Sequence, residues 1–517
     1  MRGKGGRLLA ILVVFLIPCF LFRKAEAQSF TYVPLDDRPY SLDRVLEAAE
    51  ALGVRLALPP DSFFQGRDGI PDFAGLYEWL SSHRGEGPTL VAADAFLFGG
   101  LVSSRTHTLD ESEIGERFEA LRNVCSAFPK PPAAIFGTLL RLPRQSQGTL
   151  DADYNAKWAP QLFRLARLQS AASRGALAGD DLAAAERLLR TIPAPVLQEW
   201  ANRRNRSLRA AKRLLSLHGP RGIDFVGIGL DDNVSPLWLE DEFRVLSATI
   251  GDAPASQAAL VPGVDQMGFL LFGRLFLEDK PRQRVYPFFS VVPDASGKPH
   301  YSGFSPADSL RIQADVLGVE IVGSPENADL VLALNLPAGG RTLEASSQAN
   351  RQVAGASERF LAEGMASFIE GGKRVALADI AFDNGADNGL MALLGRRKLL
   401  GRLAGYSGGN TSDNAIGMAL ATGVLSAWMS ETGKRWILFT RLLDEWGYQS
   451  NVRPALVSKG PFGGQAGPER LEEEILEKLD AFSRTELPDF AAPGFEVSYP
   501  WGRLFEIRLT KSTNGAY

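Results

Sequence analysis

Phe225-Val226-Gly227-Ile228-Gly229-Leu230-Asp231-Asp232-Asn233 is an apolar, partly β-branched run closed by acid, acid and amide. Such a run reads as a strand whose carboxyl end leaves the sheet through a polar loop. Ten more of the kind surround it, at residues 31–35, 55–58, 89–93, 134–139, 258–261, 285–290, 319–322, 330–334, 374–378 and 403–406. They alternate with amphipathic stretches, the signature of βα units around a mostly parallel sheet. Helices are expected over 42–52 and 113–127, with Ser41 and Ser112 as their N-caps. Eleven strands exceed a bare eight-stranded barrel, so the expected class is α/β, either a (β/α)-barrel-like domain or a doubly wound, mostly parallel sheet.

Two stretches break the alternation. Residues 153–218 are Arg-rich with Leu and Ala at helical spacing, and read as a helical insertion (150–218) after the fourth strand. Its arginines (Arg164, Arg167, Arg187, Arg203, Arg204, Arg206, Arg209, Arg213) suit a solvated helix face. Residues 451–517 form an expected docking appendage: a Gly- and Pro-rich segment at 461–468, a charged helix at 469–482, and a β-hairpin at 495–509 turning through Tyr499-Pro500-Trp501-Gly502. Between them lie an α/β region at 28–292 and a second at 293–450, the latter either its own lobe or a continuation of the first. No internal sequence repeat stands out.

Arg2, Lys4 and Arg7 precede an apolar run of 15 residues, 8–22, and Ala25-Glu26-Ala27 follows. This is the layout of a secretory signal peptide over residues 1–27, with an uncleaved membrane anchor as the alternative, and places the protein in the periplasm, cell envelope or medium. Bulky residues before Cys19 do not suit lipid attachment, and Cys125 alone cannot form an intramolecular disulfide. The 56 basic and 60 acidic residues leave no electrostatic footprint for nucleic acid. Four histidines and no cysteine cluster argue against a soft-ligand zinc site, and no cofactor signature is present. Carboxylates and amides remain as the useful groups, and a glycan or other small molecule as the expected ligand.

In parallel α/β folds, ligands bind at the carboxyl ends of strands. Asp36, Asp37 and Arg38 follow the first strand, Asp231, Asp232 and Asn233 the fifth, and Asp265 the sixth. Asp94, Arg105 and His107, then Arg141, and later Asp379, Asp383, Asn384 and Asp387 occupy further strand ends, with Asn335 also at one. Asn410 and Asn414 lie in a Gly-rich loop that lacks both G-x-G-x-x-G spacing and a Walker lysine, and so suit sugar hydroxyls better than phosphate. Successive residues of an extended chain point to opposite faces, so one Asp of each adjacent pair can face a pocket while its neighbour caps a helix or orients an arginine. Ser103, Ser104 and His107 lack the G-x-S-x-G elbow of a hydrolase nucleophile.

The blocks at residues 34–39, 93–107, 229–233, 262–266, 379–387 and 406–417 together resemble the bacterial domain-of-unknown-function 4127 family, marked by its PLDDRP opening. The resemblance runs from about Phe30 to the block at 500–506, and it implies no particular activity. Gln266 and Gly409 depart from the family pattern, which favours Glu and Trp there; an amide at 266 does not titrate. A weaker likeness is to O-GlcNAcase-type glycoside hydrolases, which carry an adjacent Asp pair after a middle barrel strand. The expected function is an exported carbohydrate-active hydrolase with Asp232 as acid and Asp231 as base or orienter, and the other strand-end groups on sugar hydroxyls or as a second carboxylate. Two alternatives stand beside it: a non-catalytic glycan- or peptide-binding protein of two closing lobes, and a hydrolase using a hard cation held by Asp36, Asp37, Asp231 and Asp265.

Overall fold

A computed structural model describes residues 28–64, 71–83, 85–128, 132–146, 148–177, 179–219, 223–232, 238–292, 298–337, 342–458, 468–491 and 493–512. The amino-terminal segment, Asn233 and most of the Gly- and Pro-rich segment at 461–468 lie outside these residues. Six strands, β1 (Ser29–Val33), β2 (Arg55–Ala57), β3 (Thr89–Ala92), β4 (Ala133–Leu139), β5 (Phe225–Leu230) and β6 (Ala258–Pro262), make one sheet in the order β2-β1-β3-β4-β5-β6. The remaining strands are β7 (Arg284–Phe289), β8 (Glu320–Ile321), β9 (Leu330–Asn335), β10 (Leu343–Glu344), β11 (Arg374–Asp379), β12 (Phe382–Asp383), β13 (Gly405–Ser407), β14 (Phe495–Ser498) and β15 (Arg508–Lys511). A second sheet has the order β13-β11-β9-β7-β8, and every pairing in the two large sheets is parallel.

All eleven expected strands are therefore found, divided between two open sheets rather than closed into a barrel. Counted from its own first strand, each sheet runs 2-1-3-4-5, the first with one strand more, so the chain builds one doubly wound topology twice. The duplication is topological and has no counterpart in a sequence period. The second sheet begins at Arg284, ahead of the expected division at residue 292.

The inner strands β3, β4, β5, β9 and β11 are buried on both faces because alternate residues enter different cores. Leu330, Leu332 and Leu334 of β9 join Ala376 and Ala378 of β11 in the central core, whereas Val331, Ala333, Val375 and Leu377 face an outer one. In the first sheet Ala134 and Phe136 of β4 point to the same central core, and Ala133 and Ile135 away from it. Helices Asp43–Leu52 and Met267–Leu277 from the first unit, and Pro306–Leu317 and Ser412–Leu425 from the second, form the layer between the sheets. One apolar core thus joins both units.

Helices Asn155–Ser173, Gly179–Thr191 and Ala194–Leu215 fill the expected insertion between β4 and β5. The expected caps shift: Asp110, not Ser112, caps the Glu111–Cys125 helix through a capping box with Glu113, and the Asp43–Leu52 helix has no side-chain cap. At the carboxyl terminus, helix Pro468–Glu486 packs beside the antiparallel β14-β15 hairpin.

Candidate active site

The carboxyl ends of both sheets meet at one pole. The turn after β1 splits its two acids as an extended chain should. Asp36 turns inward and accepts from Arg38 Nε at 3.0 and 2.9 Å, while Asp37 turns outward and accepts from Trp501 Nε1 at 2.7 Å. Arg38 Nη2 donates to Asp265 Oδ1 at 2.8 Å, and Asn410 Nδ2, from beyond β13, donates to Asp265 Oδ2 at 2.5 Å. Asn414 Oδ1 accepts the backbone N–H groups of Val264 and Asp265 at 3.0 Å each. Burial alone would raise the Asp265 carboxyl, but Arg38 and Asn410 hold it below the usual range. These contacts lock the ends of β1, β6 and β13 together.

The end of β5 has two different acids. Asp231 is clamped: its Oδ2 and Oδ1 accept from Arg105 Nε and Nη2 at 2.8 Å each, a bidentate pair. Asp232 sits in left-handed backbone, φ 34. Its Oδ2 accepts from Arg141 Nη1 at 3.0 Å, and Arg141 is fixed from its other side by Asp151 at 2.7 and 3.0 Å. The Asp232 side chain remains 23% exposed. Burial and the charge of Asp231 push its carboxyl up to about 6, against the pull of Arg141 and Arg105.

Asp232 opens onto a cavity of about 200 Å³ that is also lined by Arg141, Arg144, Ser146, His300 and Tyr301. His300 and Tyr301 come from the loop after β7. Tyr301 Oη donates to Glu344 Oε1 at 2.9 Å, and Asn384 Nδ2 donates to Glu344 Oε2 at 3.0 Å. The short β10-β12 pairing puts Glu344 beside Asp383. Asp383 accepts from Thr342 Oγ1 and, at 3.3 Å, from Ser412 Oγ, and burial pushes its carboxyl up to about 7. It is fully buried and does not line the cavity. A larger hollow of about 280 Å³ lies at the opposite pole, where Ala133 and Asp224 mark the amino ends of β4 and β5.

Several expected site residues belong to the scaffold. Asp387 caps the Asn388–Arg396 helix, accepting from Gly389 and Leu390 at 2.9 and 3.2 Å. Asp379 accepts from the Asp387 N–H at 2.8 Å, and Asn335 Nδ2 bridges both carboxyls at 2.8 and 3.1 Å. Burial and the charge of Asp387 push the Asp379 carboxyl up to about 8. Asp94 is buried behind β4, and burial raises it to about 7. His107 stacks on Phe98 with ring centres 4.8 Å apart, and burial with nearby Arg203 and Arg206 lowers it to about 3, which leaves it neutral. Ser104 Oγ donates to the Leu101 carbonyl at 2.7 Å, a helix-internal contact. Asn384, by contrast, reaches the site through Glu344.

The Gly-rich loop already holds an anion of the protein's own: Glu445 Oε2 accepts the N–H groups of Gly408 and Gly409 at 2.6 and 3.0 Å. A Cβ at Gly409 would fall 2.2 Å from Tyr40 Oη, so no larger side chain fits this arrangement. Gln266 is likewise a packing residue, fully buried and donating to the Pro262 carbonyl and to Gln313 Oε1 at 2.5 and 3.1 Å. The oxygen set considered for a cation does not converge, because Asp37 turns to Trp501 and the other three carboxylates are engaged by arginines. Among the described residues no group of three His, Cys, Asp or Glu side chains is placed to hold a metal ion.

Arg144, Ser146, His300, Tyr301, Glu344 and Asp151 are site residues that sequence reasoning missed. Tyr301 lies in the loop that follows β7, close to the division between regions expected at residue 292, and no apolar run leads directly into it.

A doubled, doubly wound α/β protein with an acid- and arginine-lined cleft at its shared strand-end pole is the class that fold and site define. The chain belongs to the family described as protein of unknown function (DUF4127), which it matches over residues 30–510. No curated protein and no solved structure matches it, and the likeness to O-GlcNAcase-type glycoside hydrolases finds no support there.

Proposed function

We propose that the chain is a carbohydrate-active hydrolase that cleaves glycosidic bonds, with Asp232 as the proton donor. The observation that carries this reading is the contrast between neighbours at the end of β5: Asp231 is saturated by Arg105, whereas Asp232 is turned into a cavity and held up to about 6. A carboxyl raised toward neutrality retains a proton for a leaving oxygen, and general acid catalysis is worth roughly 10²- to 10⁴-fold. Asp231, with both oxygens turned to the Arg105 guanidinium, acts as a positioning residue whose charge raises Asp232.

Export through the amino-terminal segment would put the enzyme among cell-envelope glycans, and the hydrogen-bonding lining suits polyhydroxylated ligands. The shared central core weighs against two lobes that close on a ligand without reaction, since hinged lobes need a small interface. The test is a panel of aryl glycosides and cell-wall glycans offered to the purified mature chain beside Asp232→Asn. Hydrolysis by the wild type should fall at least about 100-fold in the variant on natural glycans; undiminished turnover would remove the assignment.

A further inference from the structure

A glycosidase needs a second group beside its acid, and the aspartates do not supply it. Asp231 is clamped, Asp383 is buried with both oxygens bonded, and Asp36 and Asp265 are held by Arg38. The cavity wall has two other candidate nucleophilic oxygens, those of Ser146 and Tyr301. Ser146 accepts from the Gly148 N–H at 3.2 Å in an exposed turn.

Tyr301 is differently placed. Doubly wound sheets bind ligands where the strand order reverses, and in the second sheet that point lies between β7 and β9. The loop after β7 carries Tyr301 and the segment after β9 carries Glu344, so their 2.9 Å hydrogen bond spans the reversal. Asn384 Nδ2 holds the other Glu344 oxygen, leaving the carboxylate aimed at the phenol. Asp232 reaches the same cavity from the first sheet.

Resting on the glycosidase reading, we propose that Tyr301 is the nucleophile of the reaction and Glu344 the base that takes its proton. Tyrosine nucleophiles occur among retaining glycosidases. In the first step Tyr301 Oη bonds to the anomeric carbon as the bond to the leaving oxygen breaks. The bonding pair departs with that oxygen, which takes the proton of Asp232, and the phenol proton passes to Glu344. Burial and the Glu344 charge hold the phenol above its ordinary range, so its proton leaves together with the attack rather than before it. In the second step water attacks the same carbon and gives a proton to Asp232. Tyr301 leaves as the phenol, recovering its proton from Glu344. Two displacements give net retention.

The experiment uses whichever aryl glycoside the mature chain hydrolyses, with the product anomer followed by NMR. The 2-deoxy-2-fluoro fluoride of the same sugar serves as a trap, located by intact mass and peptide mapping. Retention, a glycosyl label on Tyr301, and a drop in kcat of at least about 1,000-fold in Tyr301→Phe, which removes one hydroxyl, are expected. Glu344→Gln keeps a hydrogen-bond acceptor but not a base, and should lower kcat with little change in KM. Inversion, a label on a carboxylate, or an active Tyr301→Phe would overturn the nucleophile while leaving the glycosidase reading intact. No hydrolysis of any glycoside by the wild type would overturn both.

Discussion

At the scale of single residues, the site works by holding neighbours in opposite states. Asp231 and Asp232 differ by one position, yet one is paired with Arg105 and the other is raised. Activity that depends on protonated Asp232 should fall as pH rises through about 6. Replacing Asp231 by Asn removes the charge that raises Asp232 and leaves Arg105 nearby without its countercharge, and both changes favour the ionised form. The alkaline limb of kcat/KM should therefore move toward acid by roughly one pH unit. A pH profile of Asp231→Asn with the limb unmoved or displaced toward base would contradict this coupling. The acid pair was legible in the sequence because two carboxyls follow an apolar run. Asp232 was the expected acid as well; what the sequence did not carry is the left-handed backbone at that residue.

At the scale of elements, legibility followed chemistry that is local to the chain. The strands stood out because burial on both faces demands unbroken apolar runs. Helix starts were less secure: Ser112 has a capping side chain, but Asp110 with Glu113 three residues on satisfies two backbone donors at once. The β14-β15 hairpin was legible as an element, while its attachment was not, since the partners are over 460 positions apart. Trp501 donates to Asp37 and its ring lies 5.5 Å from the Arg38 guanidinium carbon, and Arg508 Nε donates to Asp43 Oδ2 at 2.7 Å. The hairpin thus braces the turn that carries Asp36 and Arg38. Trp501→Phe keeps an aromatic ring but removes the N–H donor, and should reduce stability by about 1 kcal/mol. Urea unfolding would register this as a lower midpoint, with faster amide exchange confined to residues 496–510 and 34–39. An unchanged midpoint and exchange pattern would mean the bond carries no brace.

At the scale of the whole molecule, the duplicated topology escaped the sequence because it repeats strand order and not residues. What unites the halves is the central helical layer, whose core draws on both sheets and makes a single unfolding transition the expectation. That transition should depend on pH with a definite sign. Burial is the leading cause that raises Asp94 to about 7, Asp379 to about 8 and Asp383 to about 7, each from an unfolded value near 3.8. The folded chain therefore binds more protons than the unfolded chain between about pH 4 and pH 8. The contribution of these groups is fully present below that window and is lost as pH rises through it. Asp265 has the opposite sign: its value is lowered, so its ion pair with Arg38 contributes above about pH 4 and weakens only on further acidification. Both contributions are present together near pH 5. Calorimetry should find a Tm several degrees higher at pH 5 than at pH 8, a difference of at least about 2 kcal/mol. Asp383→Asn should flatten this slope, because an amide can meet the Thr342 and Ser412 hydroxyls without titrating. A Tm that climbs from pH 5 to pH 8 would mean that the three buried carboxyls are ionised in the folded chain.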